Sequence, residues 1–367
     1  MKQRNLSQDI AKGIAILLVV QAHTLQLTKG IGSAIGVLFG YAMPFFLFMT
    51  GYNYRNKGLS PWENVKKRIW QILRPFLVYS LVIFFVMGAY FLIRGEATIT
   101  ELVRSYAAFL LSKWGARMIG WNLPQVLFQR LLGPYWFLQF LMMASIVFYL
   151  CVDRAISSTK HLISWVALLS GISVVLIELN VVLPWGIQNA PAIASVMIIA
   201  AWFRKNDNFF TEPSKKCWVW INSFVCLLTI GLIQLKLSGA GYFGAGAMGE
   251  VCGGAEIYLF IVIAIMGTYF LINFCKLLEP IPVVSKALIW LGGHTLQILM
   301  LHLAVMHLIK DILHLPQTNA AEQLFVDKVE PGNILAYFLT IIVVVLIILL
   351  IEKVTALIKN QKKLKEA

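Results

Sequence analysis

The sequence predicts an all-α polytopic membrane protein of about ten transmembrane helices, with the N- and C-termini both cytoplasmic. Three observations predict it. The 367 residues are 59% hydrophobic and only 13% charged, which is more apolar surface than a soluble core of this size can bury. The apolar residues fall into runs close to the roughly 20 residues that a spanning helix needs. The Lys and Arg residues gather in alternate segments between those runs, as topology determinants do.

The first run, 10–28, follows Lys2 and Arg4. No small-residue cleavage site comes after it and many more runs do, so it reads as a retained span and not as a signal peptide. Spans 33–54 and 71–93 come next, joined by an inner segment with Arg55, Lys57, Lys66, Lys67 and Arg68. The long outer stretch 94–133 is basic and aromatic ("SKWGARMIGWN") and reads as interfacial or re-entrant helices. Spans 134–152, 161–179, 186–203, 217–235, 253–275, 287–309 and 334–352 complete the set. Their inner segments carry Arg154 with Lys160, then Arg204, Lys205, Lys215 and Lys216, then Lys276 with Lys286. Residues 353–367 form a basic cytoplasmic tail. With no soluble domain, low-complexity linker or internal repeat, residues 1–367 read as one domain with its core at about 6–355.

The same features exclude several functions. A net charge of +14 would suggest nucleic acid in a soluble protein, but here it marks topology, so no nucleic acid is expected. The five cysteines are scattered without CxxC spacing, so neither a disulfide framework nor a zinc site is indicated. "GAGYFG" at 239–244 fits a GxGxxG spacing but follows an apolar helix and not a strand, so the nucleotide-binding reading fails on context. His302 and His307 are about 140° apart on a helix, unlike the i,i+4 pair of a metal-binding helix, and no metal is expected.

Within the first span, Lys12 and His23 stand out. Eleven residues at 100° each bring them to within about 20° on one helix face, separated by roughly 16 Å along the axis. An ionisable group at that depth is a candidate for function, facing protein or a water-filled cavity. Alternatives stand beside this: Lys12 can snorkel or pair with Asp9 at i,i+3, and His23 can be a hydrogen-bonded packing residue.

The pattern "basic residue, ten others, histidine" resembles the first helix of the acyltransferase-3 family of membrane acyltransferases, of the surface-glycan O-acetyltransferase, fucose 4-O-acetylase-like type. Further along, "YAMPFFLFMTGYNYR", "KKRIWQILRPFLVY", "GPYWFLQFL" and "LGGHTLQILMLHL" resemble the family's later motifs in the family's order. Pro44 stands where many relatives have an Asp before the paired phenylalanines. The resemblance implies a cytoplasmic acyl-CoA co-substrate, expected to be acetyl-CoA, and transfer to a hydroxyl of an extracytoplasmic glycan or lipid-linked saccharide. It implies a bacterial inner or plasma membrane, with a homo-oligomer left open. Carried onto this chain, His23 is the expected base or acyl relay, because imidazole can do either near neutral pH. His302 is its expected helper, and Glu256 the acid to fix its tautomer. Lys12 with Arg68 and Arg74 is the expected cationic site for the donor phosphates, joined to His23 by one passage. Trp136 and Tyr135 are candidate substrate contacts, though aromatic anchoring is an equally physical role for them. A glycan or small-molecule transporter or flippase is the competing reading, and a sensor that kept the fold but lost activity is the third.

Overall fold

The computed structural model describes residues 5–24, 27–28, 42–118, 135–181, 183–206, 217–239, 256–315, 325–326 and 331–366. Within these, the side chains of residues 27–28, 111–118, 230, 232–239, 256, 325–326 and 362–366 lie outside the description. The helices are α1 (Leu6–Thr24), α2 (Ala42–Tyr52), α3 (Pro61–Ile93), α4 (Ile99–Met118), α5 (Trp136–Ala155), α6 (Thr159–Glu178), α7 (Ala190–Asn206), α8 (Cys217–Gly239), α9 (Glu256–Leu278), α10 (Pro282–Gly293), α11 (Thr295–Ile312) and α12 (Pro331–Glu366). A 3-10 turn, Pro184–Asn189, leads into α7. Two residues, Leu27–Thr28, pair in parallel with Phe325–Val326 and tie the segment after α1 to the segment before α12.

Seven described helical stretches are long and apolar enough to cross a membrane: α3, α5, α6, the turn with α7, α9, α11 and α12. This differs in detail from the ten expected spans. In α1, Gln8, Asp9, Lys12, Gln21 and His23 dilute the apolar run. The described part of the second span, 42–54, is helical over the 11 residues of α2, and the side chains of α8 are described without a break only over Cys217–Thr229. The expected single span 287–309 is broken into α10 and α11, because His294 leaves the helical path at φ −111°. Helix α3 starts earlier than expected, at Pro61, where Ser60 and Glu63 cap each other reciprocally. The outer stretch 94–133 holds α4, opened by a similar Thr98–Glu101 pair.

Each helix shows why it is placed as it is. On α3, Val65, Ile72, Phe76, Ser80, Ile83, Met87 and Phe91 repeat at steps of three, four and seven and are buried along one stripe. The opposite side, with Val82, Phe85 and Val86, is apolar yet exposed, as a lipid-facing surface is. Lipid tails are as apolar as leucine, so helices in a bilayer associate through close packing and small residues. Helix α7 fits that rule, with Ala192, Ala194, Ala200 and Ala201 buried against α2, α5 and α6. Two glycines seat α1 on α10: a Cβ on Gly13 would strike the Leu288 carbonyl, and one on Gly292 would strike the Asp9 carbonyl. The buried hydroxyls of Ser145 and Thr340 satisfy themselves on their own helices, on Leu141 O at 2.6 Å and on Ala336 O at 2.7 Å.

Candidate functional site

Helix α1 packs against α2, α9, α10, α11 and α12. Its buried face, Ile10, Ala11, Ala15, Ile16, Val19 and Val20, fixes its rotation, and that rotation turns His23 toward α11. There it meets His302, with ring centroids 5.3 Å apart and planes inclined by 42°. The structure thus brings together two of the residues that the sequence singled out, from opposite ends of the chain.

His302 is fully buried. Its Nδ1 lies 3.0 Å from the Ile298 carbonyl and 2.9 Å from the Leu299 carbonyl. Carbonyl oxygens only accept, so Nδ1 must carry the proton, and in the neutral ring Nε2 is left holding the lone pair. Nε2 is buried without a hydrogen-bond partner. Arg68 Nε and Ser105 Oγ are likewise buried without a partner, and what sets His302 apart is a basic nitrogen beside a second imidazole, which makes it a candidate for proton transfer. The backbone does for His302 what a carboxylate does for the histidine of a hydrolase triad: it sets the tautomer. Next to it lies a small apolar cavity of about 10 Å³, lined by Leu17, Val20, Ile298, Thr340 and Val344 among others. That is room for about one water-sized group.

The other expected residues fall elsewhere. The Lys12 ammonium donates to Asp9 Oδ1 at 3.1 Å, the local ion pair that was the alternative reading. Between Lys12 and His23 on the shared face lie Ile16 and Val19, both buried in packing, so the expected passage along that face is filled by side chains. Arg68 and Arg74 are six residues apart on α3, about 120° around the helix. Arg68 is half-buried with an unpartnered Nε and sits beside Tyr149 of α5, whereas Arg74 is exposed. Helix α3 packs against α4, α5 and α11, whereas α1 has the neighbours given above, so the expected cluster of Lys12, Arg68 and Arg74 is replaced by three separate environments. Tyr135 is buried between Phe76 and Phe109, with centroids at 5.9 and 5.5 Å, and its hydroxyl donates to Met300 O at 3.3 Å. It braces α11 two residues before His302. Trp136 packs edge-on against Phe140 at 5.3 Å. Glu256 opens α9, and its side chain lies outside the described residues, as does most of the glycine-rich stretch 239–244.

One constellation escaped the sequence reading. Tyr54, Asn56, Asp153, Arg204 and Lys205 meet around a cleft at the C-terminal ends of α2, α5 and α7. Arg204 and Lys205 read as topology charges in the sequence, and nothing in the motif "CVDR" marks Asp153.

A family model described as an acyltransferase domain matches residues 5–353, nearly the whole chain. No curated protein and no solved structure matches it.

Proposed function

We propose that this chain, which belongs to the acyltransferase-3 family, is a membrane O-acyltransferase that moves an acyl group from cytoplasmic acyl-CoA to a hydroxyl of an extracytoplasmic glycan or lipid-linked sugar. The observation that carries the proposal is the buried, unpartnered Nε2 of His302 set 5.3 Å from the ring of His23. Its lone pair removes the proton of the acceptor hydroxyl, whose oxygen attacks the thioester carbonyl carbon. A C–O bond forms, the C–S bond breaks, and the CoA thiolate takes the proton back from the imidazolium. His23, within reach of the same reacting group, donates to the developing oxyanion. In this reading the roles shift: His302 is the base and His23 its partner.

The cavity beside His302 has room for about one water-sized group, so on this reading a longer acyl chain has to displace more of its walls than an acetyl group does. Tyr135 positions α11 through Met300 O and acts on the reaction only through that helix. The experiment gives the purified protein acyl-CoA labelled in its acyl group together with a lipid-linked sugar fraction. Label must reach the acceptor, with CoA release lost in His302→Ala and His23→Ala. Movement of unmodified sugar without CoA release would replace this reading by the transporter.

A further inference from the structure

At the C-terminal ends of α2, α5 and α7, a cleft of about 410 Å³ is lined by Tyr54, Asn56, Asp153, Ile156, Arg204 and Lys205 among others. Its volume falls in the range of small-molecule sites, roughly 300–1,000 Å³. The residues reach it for identifiable reasons. A Cβ on Gly51 would strike the Met197 carbonyl, so α2 and α7 touch backbone to backbone, and this brings the Arg204 guanidinium over the ring of Tyr52 at 5.1 Å. Lys205 donates to the Ile156 carbonyl at 2.8 Å, just beyond the end of α5. The Tyr54 hydroxyl and the Asn56 amide both donate to Asp153 Oδ1, at 2.7 and 3.2 Å. The ring of Tyr54 stands edge-on to Tyr149 at 5.8 Å, and behind Tyr149 sits Arg68 with its buried, unpartnered Nε.

The cleft therefore offers cations and a carboxylate together. Arg204 is held on one face by an aromatic ring, and among the described residues it makes no ion pair, so its N–H fork remains available to a phosphate. Lys205 spends one of its three donors on Ile156. Asp153 Oδ2 is open to a donor, because both protein bonds go to Oδ1. A phosphate alone, free or as a lipid headgroup, gains nothing from that carboxylate and is repelled by it. A ligand that carries phosphates on one side and an amine or hydroxyls on the other uses every group present. Arg55, Lys57, Arg154 and Lys160 flank the same end of the bundle, the end that charge bias marks as cytoplasmic.

We propose that this cleft seats the nucleotide head of the acyl donor, with its phosphates on Arg204 and Lys205 and its base amine or ribose hydroxyl on Asp153. The assignment rests on the reading of the chain as an acyl-CoA-dependent enzyme and gives the donor a site in place of the cluster expected from Lys12, Arg68 and Arg74.

The test measures equilibrium binding of CoA and of adenosine 3′,5′-bisphosphate to the full chain in nanodiscs of zwitterionic lipid. Each of Arg204→Gln and Lys205→Gln is expected to weaken both ligands about tenfold, the loss of one charge-assisted contact. Lys57→Gln, exposed and outside the cleft, is expected to bind as wild type does. Monodispersity and thermal unfolding of each variant separate lost binding from lost fold. His302→Ala that binds the bisphosphate normally yet releases no CoA supports the cleft and places chemistry and recognition apart. Unchanged affinity in both Arg204→Gln and Lys205→Gln overturns the assignment, and if those variants still transfer acyl groups the function proposed above stands without it. Repeating the titration with anionic lipid distinguishes the source of the phosphate: unaltered nucleotide affinity supports the proposal, and competition by the lipid headgroup for the same residues overturns it.

Discussion

His23 and His302 stand ring to ring, 5.3 Å apart between centroids, on helices from opposite ends of the chain. The finding has a direct kinetic consequence. The His302 ring hydrogen-bonds to carbonyls of its own helix, so among the described residues removing it breaks no hydrogen bond to another helix and costs the ring contact with His23. His302→Ala is expected to lower the rate of CoA release by roughly 10²–10⁴-fold, the usual contribution of a general base, with donor affinity unchanged. Single-turnover acyl transfer and equilibrium binding, measured on the same preparation, check both halves.

Val344 is 1% exposed and forms part of the wall of the cavity beside His302. Val344→Ala removes two methyl groups from that wall. The variant is expected to accept propionyl-CoA and butyryl-CoA better relative to acetyl-CoA than wild type does. Competition between acyl donors, read as a ratio of kcat/KM values, is the measurement.

Lys12 spends its charge on Asp9. If the donor's phosphates bind at Arg204 and Lys205, Lys12→Gln leaves the KM for acyl-CoA within about twofold of wild type, whereas Arg204→Gln raises it about tenfold. The reverse order would return the donor site to α1.

Tyr54 lies past the C-terminal end of α2, and burial first, then its hydrogen bond to Asp153, holds its phenol above the ordinary value. The neutral phenol is the form the fold favours. Its contribution to stability is therefore fully present below the unfolded value of about 10 and is lost as pH rises through the folded one. An ultraviolet phenolate titration is expected to show one tyrosine ionising later in wild type than in Asp153→Asn, where the hydrogen bond weakens and burial remains.

Gly13 and Gly292 leave no room for a methyl group on the facing backbones. Gly13→Ala or Gly292→Ala pushes α1 from α10 and is expected to cost roughly 1–3 kcal/mol, as overpacking does. Because α1 carries His23, either variant is also expected to lose activity at temperatures where it remains folded. Thermal unfolding in detergent, set beside activity at a low temperature, tests both effects.

Much of this was readable along the chain. Composition and run length pointed to the helical membrane architecture. Lys12, His23 and His302 could be singled out because an ionisable group in an apolar run is conspicuous wherever it falls. Other features were not readable, for physical reasons. Span 287–309 looked continuous because hydropathy averages over Gly292, Gly293 and His294, where the backbone turns. The tautomer of His302 depends on two carbonyls of its own helix, and no side-chain pattern records that. The Lys12–Asp9 pair was visible as an alternative, but choosing it required knowing that Ile16 and Val19 are packed in protein. The cleft is built from three segments far apart in sequence, and each of its charges taken singly is indistinguishable from a topology marker.

The seating of α1 against α10 and α11 makes the order of synthesis matter. Synthesis delivers His23 long before His302. Until α11 inserts, the nascent polypeptide holds one ring of the proposed pair. On the function proposed above, a chain that stalls before α11 lacks the proposed base and spends no acyl donor.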